Sequence, residues 1–155
     1  MLKKLVQTNN SFTTLVLRLA LGIVFFPHGA QKFLGWFGGF GFTGTMSYFT
    51  QVAGIPAVLA FLVIVAEFFG ALGLITGLLT RIAAFGIAAI MLVAVLMVHS
   101  SNGFFMNWEG TQKGEGFEYH ILAFAIAAAL MIRGGGLWSL DNIVRRSMNE
   151  RTGRA

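Results

Sequence analysis

Cysteine is absent from the 155-residue sequence, and charged residues are scarce. The absence of cysteine excludes disulfide frameworks, thiolate metal sites and cysteine nucleophiles. Charged side chains account for 11% of the residues, whereas a soluble domain carries about 25% because its surface faces water. With 56% apolar residues and a mean hydropathy of +0.76, the sequence is typical of a membrane protein. Its length fits a single integral membrane domain, residues 1–155.

Acidic residues are also few, six against eleven Lys and Arg, which leaves a net charge of +5. The basic residues flank apolar stretches, so we expect them to contact the lipid bilayer and expect no nucleic-acid partner. If the amino terminus is cytoplasmic, eight basic residues lie on the cytoplasmic side and two outside. This asymmetry predicts that both chain ends are cytoplasmic. The eight are Lys3, Lys4, Arg81, Arg133, Arg145, Arg146, Arg151 and Arg154, and the two are Lys32 and Lys113.

Four apolar stretches are long enough to cross a membrane, whose hydrocarbon layer of roughly 30 Å takes about 20 helical residues. They predict an all-α membrane protein built as a four-transmembrane-helix bundle. The first stretch continues through Phe25 and Phe33 beyond any cleavage site, so we interpret it as a retained membrane anchor rather than a signal peptide. The stretches cover about residues 12–34, 56–79, 81–98 and 117–132.

Residues with special backbone or capping properties mark the ends of these helices. Ser11 can cap the first helix and Thr80 the third by accepting hydrogen bonds from free backbone N–H groups. Pro56 opens the second helix, where its missing N–H is harmless, and Gly134 ends the fourth.

Two outer loops and a tail complete the predicted fold. The loops, residues 35–55 and 100–116, mix glycine with aromatic residues, so we expect them to be ordered at the lipid–water boundary. The tail, residues 138–155, is predicted to begin as a short interfacial helix with Trp138 and Leu140 in lipid.

Glu67 lies about midway along the second stretch, where an ionisable side chain costs about 2.5–3.5 kcal/mol on insertion scales. The small residues Gly70 and Ala71 allow another helix to approach, so we expect Glu67 to point into the bundle. It is then either a structural group, held as an ion pair or as a protonated carboxyl, or a proton-carrying or ligand-binding carboxylate. The sequence leaves both interpretations open.

Three polar residues at the outer end of the first stretch, His28, Gln31 and Lys32, share one helix face because of their i, i+3, i+4 spacing. They form either a polar helix end, with Lys32 extended toward water, or part of a binding site. Arg18, near the inner end of the same stretch, is expected to have a structural role.

Further polar residues flank the second outer loop, with His99 before it and Glu118 and His120 after it. The histidines lack a close ligand spacing such as HxxxH, so we expect no metal site. A quinone head group makes fewer demands on residue spacing than a metal ion does. It needs a hydrogen-bonding histidine, a proton donor and aromatic side chains as walls on either side. Trp36 and Trp108, one in each outer loop, can supply the walls.

Short motifs are spread over nearly the whole chain, from about residue 12 to 141. They include His28-Gly29-Ala30-Gln31-Lys32-Phe33, Gly35-Trp36-Phe37-Gly38-Gly39, Gly77-Leu78-Leu79-Thr80-Arg81, Asn102-Gly103-Phe104-Phe105 and Gly116-Phe117-Glu118-Tyr119-His120. Together they resemble the DoxX family. The resemblance implies a four-helix protein of the bacterial plasma (inner) membrane. It also implies oxidoreductase chemistry, since members are often described as oxidoreductases and a related branch supplies a membrane subunit to a thiosulfate:quinone oxidoreductase.

We therefore predict a quinone-linked oxidoreductase, or the membrane subunit of one. In this hypothesis His28 and His120 hydrogen-bond the quinone head group, while Glu67 and Glu118 carry protons. The chain has no haem-attachment motif, dinucleotide fingerprint or cysteine, so its redox power must come from a quinone, a metal or a partner. The predicted cofactor-binding residues are His28, Gln31, Lys32, Trp36, His99 and Trp108.

Two other functions fit the same residues. The chain could be a non-enzymatic subunit that anchors or assembles a redox complex, in which case its polar residues contact a partner protein. It could also be a small proton-coupled transporter, which would require a homo-oligomer because four helices enclose little space.

Overall fold

The computed structural model describes residues 2–152 of the chain. Residues 153–155 of the predicted tail, including the basic residue Arg154, lie outside the described residues. Within the described part the chain is helical and has no strand. The helices are α1 (Leu2–Leu5), α2 (Phe12–Phe33), α3 (Gly41–Ser47), α4 (Ala57–Thr76), α5 (Thr80–Ala94), α6 (Glu118–Arg133) and α7 (Leu140–Thr152).

Short turns of other helix types extend this framework. A 3-10 turn precedes α3, a π turn continues α3, and a π turn followed by a 3-10 turn continues α5. These turns are Trp36–Gly38, Tyr48–Val52, Val95–His99 and Ser100–Asn102, respectively.

Four long helices pack side by side in the order α2, α4, α5, α6, and a smaller contact between α6 and α2 closes the bundle. The main cluster of buried side chains between them consists of small and aliphatic residues with one phenylalanine, Phe25. We call the end of the bundle that carries α1 and α7 the terminus end, and the opposite end the loop end. The core side chains include Leu21, Phe25, Ala71, Leu74, Ile87, Met91, Ala127 and Leu130.

Three helices are long and apolar enough to cross a membrane, namely Phe12–Phe33, Ala57–Thr76 and the continuous helix Thr80–Asn102. They confirm the prediction of an all-helical membrane protein, and they begin and end within a few residues of the first three predicted stretches. The helix α6 has 16 residues and is therefore about 24 Å long, shorter than a hydrocarbon layer of roughly 30 Å.

Two glycines of α2 bring this helix into close contact with α4. A Cβ atom on Gly29 would lie 2.8 Å from the carbonyl carbon of Glu67, and one on Gly22 would lie 3.1 Å from the carbonyl oxygen of Ala71. A backbone atom cannot rotate away as a side chain can, so both positions leave no room for a larger residue. The contact places the backbone of Glu67 directly against α2, on which Lys32 lies one turn further along.

The helix caps at the terminus end agree with the sequence at one position and differ at another. Ser11 caps α2 as predicted, accepting a hydrogen bond from the Thr14 N–H at 3.3 Å. Thr80 does not cap α5, and that prediction was wrong. The cap position belongs to Leu79, and the Asp141 carboxylate accepts the N–H groups of Leu79 (2.7 Å) and Thr80 (2.9 Å). The acceptor comes from a residue 61 positions away, which no local pattern reveals.

Arg18 is 1% exposed and ties three segments together at the terminus end. Its Nη1 donates to the carbonyl oxygens of Leu74 and Ile75, each at 2.6 Å, and its Nε donates to that of Gly135 at 2.9 Å. The first two carbonyls belong to the last turn of α4, where carbonyl groups lack partners within the helix. The expected structural role of Arg18 is thus confirmed, and the side chain is buried rather than extended to the membrane surface.

Both segments at the loop end follow hydrogen-bonded paths. In the second, the N–H groups of Phe117 and Glu118 donate to the carbonyl oxygen of Phe104 at 3.1 and 2.9 Å, which folds the loop back onto the start of α6. In the first, the 3-10 turn, α3 and its π turn occupy most of the segment. The loop end therefore presents a defined surface around the open end of the bundle.

Candidate functional site

An ion pair between Lys32 of α2 and Glu67 of α4 forms the centre of a polar cluster at the loop end. Lys32 Nζ lies 2.9 Å from Glu67 Oε2 and donates a hydrogen bond to Oε1 at 3.1 Å. The Oε2 contact joins opposite charges but lacks the geometry of a hydrogen bond. The Glu67 side chain is 6% exposed and that of Lys32 is 26% exposed. Lys32 thus reaches into the bundle, and its partner is a carboxylate largely removed from solvent.

His28 and Gln31, predicted to share a face with Lys32, diverge in the structure. The His28 ring is exposed and lies 6.3 Å from the ring of Phe25. It is near enough to Lys32 and Glu67 for both charges to act on it. Gln31 instead turns toward the first loop, where its Nε2 donates to the carbonyl oxygen of Phe37 at 3.3 Å. His28 therefore belongs to the cluster, and Gln31 supports the loop above it.

Tyr119 of α6 is a member of the cluster that the sequence interpretation missed. Its ring stacks at 6.4 Å on that of Phe25, and the charge of Glu67 acts on it. Its hydroxyl group is buried and has no hydrogen-bond partner among the described residues. A buried hydroxyl without a partner carries a desolvation cost, so it marks a place where a ligand atom would be stabilised. The signal in the sequence was its position between Glu118 and His120.

His99 and His120 form a second polar pair beside Tyr119. Their ring centroids are 4.0 Å apart, and the ring of His120 lies 5.7 Å from that of Tyr119. His99 Nδ1 is 2.8 Å from the carbonyl oxygen of Glu115, which makes this nitrogen the donor. His120 is 7% exposed, and its buried Nδ1 has no partner among the described residues. The fold thus brings together two histidines that are 21 positions apart in the sequence.

Glu118 holds the second loop in place. Its Oε1 accepts a hydrogen bond from the N–H of Met106 at 2.9 Å. Glu118 also lines an open, mainly apolar groove of about 360 Å³ at the start of α6. The groove is bordered by Phe104, Met106, Trp108, Glu118, Tyr119, Ile121 and Leu122. Because Tyr119 lines the groove, this side chain connects it to the cluster around Glu67.

The two predicted aromatic walls occupy different places. Trp36 lies against Phe26 with ring centroids 6.5 Å apart, on the side of the bundle formed by α2. Trp108 borders the groove at α6 and is 86% exposed. The structure therefore associates Trp108 with Tyr119 and Glu118, and associates Trp36 with α2.

Ring contacts connect His28, which lies near the Lys32–Glu67 pair, with the His99–His120 pair, and we call these residues the array. They run from His28 through Phe25 and Tyr119 to His120 and His99, with centroid distances of 6.3, 6.4, 5.7 and 4.0 Å. Within residues 2–152, no three His, Asp or Glu side chains gather closely enough to hold a metal ion. The array combines groups that can donate hydrogen bonds with groups that can hold a proton. It is suited to binding a ligand with carbonyl or hydroxyl oxygens and exchanging protons with it.

Comparison with known proteins assigns the chain to a family. The DoxX family matches residues 13–100, which hold the Lys32–Glu67 pair, His28 and His99. A relative from Bacillus subtilis (strain 168), named "Putative oxidoreductase CatD", is 33% identical over 138 residues, which make up 88% of this chain and 91% of the relative. No solved structure matches the chain. Since the family match covers more than half of the chain and the relative aligns over most of both lengths, the protein belongs to the DoxX family.

Proposed function

We propose that the protein is a quinone-linked oxidoreductase, or the membrane subunit of one, in the bacterial plasma membrane. The observation that carries the proposal is the Lys32–Glu67 ion pair with its buried carboxylate, near which Tyr119 and His120 bear polar atoms that have no partner among the described residues. The name of the Bacillus subtilis relative supports redox chemistry. Because the chain has no cysteine, it must draw on a quinone, a metal or a partner for that chemistry.

The chemistry of the cluster fits a quinone head group. A quinone carbonyl oxygen accepts hydrogen bonds, and the Tyr119 hydroxyl and a protonated Nδ1 of His120 are buried donors in need of an acceptor. The apolar groove beside Tyr119 suits a ring with a hydrocarbon tail. A bound quinone supplies two-electron redox chemistry and takes up two protons when it is reduced. In this proposal the carboxyl groups of Glu67 and Glu118 carry those protons.

We further propose that α6 is a fourth membrane span and that both chain ends are cytoplasmic. A span shorter than the hydrocarbon layer is accommodated by local thinning of the bilayer. Apart from the buried Arg18, the described basic residues support the orientation, because seven lie at the terminus end and two at the loop end. The seven are Lys3, Lys4, Arg81, Arg133, Arg145, Arg146 and Arg151, and the two are Lys32 and Lys113.

Quinone binding is tested with protein purified in mild detergent with its native lipid. Co-purified quinone is identified by mass spectrometry, and a short-chain ubiquinone analogue is titrated while its quenching of tryptophan fluorescence is followed. Tyr119→Phe removes a hydroxyl that has no partner within residues 2–152, so it should leave stability unchanged. It should weaken quinone binding about two- to tenfold, as expected for one hydrogen bond.

Glu67→Gln and His28→Ala should also weaken binding, whereas Glu109→Gln in the exposed second loop serves as the matched control. Binding that is absent in the wild type, or identical in all four variants, would overturn the quinone proposal.

A second function, the anchoring of a partner redox protein, is favoured by exposed aromatic side chains at the loop end. Phe37 is 64%, Phe105 67% and Trp108 86% exposed. If a partner isolated with the chain in mild detergent retains full quinone-dependent activity when the Tyr119→Phe chain replaces the wild type, the chain is an anchor. If activity falls with that substitution, the chain contributes to the quinone site.

A further inference from the structure

At the terminus end, far from the polar cluster, α1 and α7 enclose a second cavity. It has a volume of about 260 Å³ and lies between the start of the chain and the carboxyl-terminal helix. Three of its seven lining residues are cationic, Lys3, Lys4 and Arg145. The others are Val6, Gln7, Met148 and Asn149, so the described lining contains no carboxylate.

Two hydrogen bonds hold the walls of this cavity to the end of the bundle and to each other. Val6 is 1% exposed, and the Thr8 hydroxyl accepts the N–H of Gly136 at 2.6 Å, which fixes the chain after α1. On the other side, Asn142 at the start of α7 donates from its amide to the Asn10 side chain. The two segments that carry the cations are therefore attached to the same end of the bundle and to each other.

Arg145 has an unused donor in this setting. One guanidinium nitrogen, Nη2, donates to Asn142 Oδ1 at 3.0 Å, but Nε is buried and has no partner among the described residues. Leaving a donor of a charged group without an acceptor is costly, whereas an anion would satisfy it. A guanidinium presents its N–H groups in a fork that matches the oxygens of a phosphate.

The described carboxylates of α7 do not pair with Arg145. Asp141, one turn before Arg145, already accepts the N–H groups of Leu79 and Thr80. Glu150 is exposed and does not line the cavity. The guanidinium of Arg145 therefore borders a space several times the roughly 30 Å³ that one water molecule occupies in the liquid. A phosphate group and part of its headgroup fit there.

We propose that this cavity is a binding site for a phosphate group, formed by Lys3, Lys4 and Arg145. The phosphate can come from an anionic phospholipid headgroup or from a soluble phosphate compound. Two apolar side chains close to Arg145 in the sequence are exposed, Trp138 just before α7 (79%) and Ile143 on α7 (64%). In a membrane they would set Arg145 at the level of the lipid phosphates. Basic pockets at the end of a helix bundle are suited to such headgroups.

The test uses the full chain in nanodiscs of phosphatidylcholine with or without phosphatidylglycerol, and native mass spectrometry to count retained lipid. Arg145→Gln and the Lys3→Gln/Lys4→Gln double variant remove lining charges. Arg146→Gln removes the same charge from the neighbouring residue, which is exposed and does not line the cavity. Arg145→Lys keeps the charge but loses the fork, and circular dichroism confirms that each variant is folded.

We expect wild type to retain phosphatidylglycerol and Arg145→Gln to lose affinity by at least about tenfold, as for one charged hydrogen bond. Arg146→Gln should lose no more than about fivefold, the effect of one surface charge near anionic lipid. Arg145→Lys should fall between them.

Inorganic phosphate, added at constant ionic strength, separates the two sources. If it displaces the lipid or raises the melting temperature of wild type but not of Arg145→Gln, the site takes free phosphate. If it has no effect while lipid is retained, the ligand is the headgroup. Equal losses in Arg145→Gln and Arg146→Gln, or no retention by wild type of either ligand, would refute the site. Because no variant touches the polar cluster, this result is independent of quinone binding.

Discussion

At the scale of single residues, the Lys32–Glu67 pair shows how a charge is accommodated within an apolar bundle. The Glu67 side chain is 6% exposed, and its Oε2 lies 2.9 Å from the Lys32 ammonium. The ammonium is 26% exposed and can reach the end of the bundle on its flexible stem. The two partners are therefore unequal. Without Glu67, the Lys32 ammonium can still be solvated by water, whereas without Lys32 the Glu67 carboxylate stays buried and unpaired.

This inequality predicts different effects of the two single substitutions. Lys32→Met leaves an unpaired buried carboxylate, for which a cost of about 3–5 kcal/mol is typical. Glu67→Gln leaves a lysine that can turn toward the interface, so its cost should be about 1 kcal/mol. Thermal unfolding in detergent should therefore show a melting temperature lowered by several degrees in Lys32→Met and by much less in Glu67→Gln. The exposed Lys113→Met is the control, and equal losses in the first two variants would contradict the argument.

The residues that make up the cluster differ in how visible they were in the sequence. Glu67, His28, Lys32 and His120 stood out because charged or polar side chains are expensive within apolar stretches. Tyr119 did not stand out, since tyrosine is ordinary at a membrane boundary. Only the fold reveals that its hydroxyl is buried and lacks a partner in the described part of the chain.

At the scale of elements, the contact between α2 and α4 depends on Gly29. A Cβ atom there would lie 2.6 Å from the Cα of Phe68 and 2.8 Å from the carbonyl carbon of Glu67. The sequence interpretation emphasised Gly70 instead, but that glycine faces α5, where a Cβ atom would lie 3.6 Å from the carbonyl oxygen of Ala83. Both glycines lie within helices, but of the two it is Gly29 that lies where two helix backbones cross at close distance.

Alanine substitutions at these two glycines form a matched pair. Gly29→Ala forces the two backbones apart, and overpacking of this kind costs about 1–3 kcal/mol. Gly70→Ala makes an ordinary contact and gains up to about 1 kcal/mol of helix propensity. We expect thermal unfolding in detergent to show a lower melting temperature for Gly29→Ala and an unchanged or higher one for Gly70→Ala. The reverse order would show that α2 and α4 are not packed as described.

Helix positions were predictable where hydrophobic length determines them. The second predicted stretch, 56–79, contains α4 (Ala57–Thr76), which ends at Gly77 with a left-handed backbone (φ 70°) that favours glycine. The third predicted stretch, 81–98, ends before the observed helix does, because a π turn and a 3-10 turn extend that helix to Asn102. Periodicity of side chains does not signal such turns, since they change the number of residues per turn.

At the scale of the whole molecule, the chain is suited to a direct test of its topology because it has no cysteine. Thr111 in the second loop and Ser147 on α7 are both exposed, and they lie before and after α6. Thr111→Cys and Ser147→Cys can each be labelled in intact cells with a maleimide that does not cross membranes, and again after permeabilisation. The cysteine-free parent chain is the control for background labelling.

The pattern of labelling separates the number of spans from their orientation. With four spans and cytoplasmic ends, Thr111→Cys is labelled in intact cells and Ser147→Cys only after permeabilisation. An inverted bundle gives the opposite pattern. If α6 does not cross the membrane, both positions lie on one side and behave alike. We expect the first pattern, because, apart from the buried Arg18, seven described basic residues lie at the terminus end and two at the loop end. In that arrangement the polar cluster faces the outer half of the membrane, and the phosphate site faces the cytoplasm.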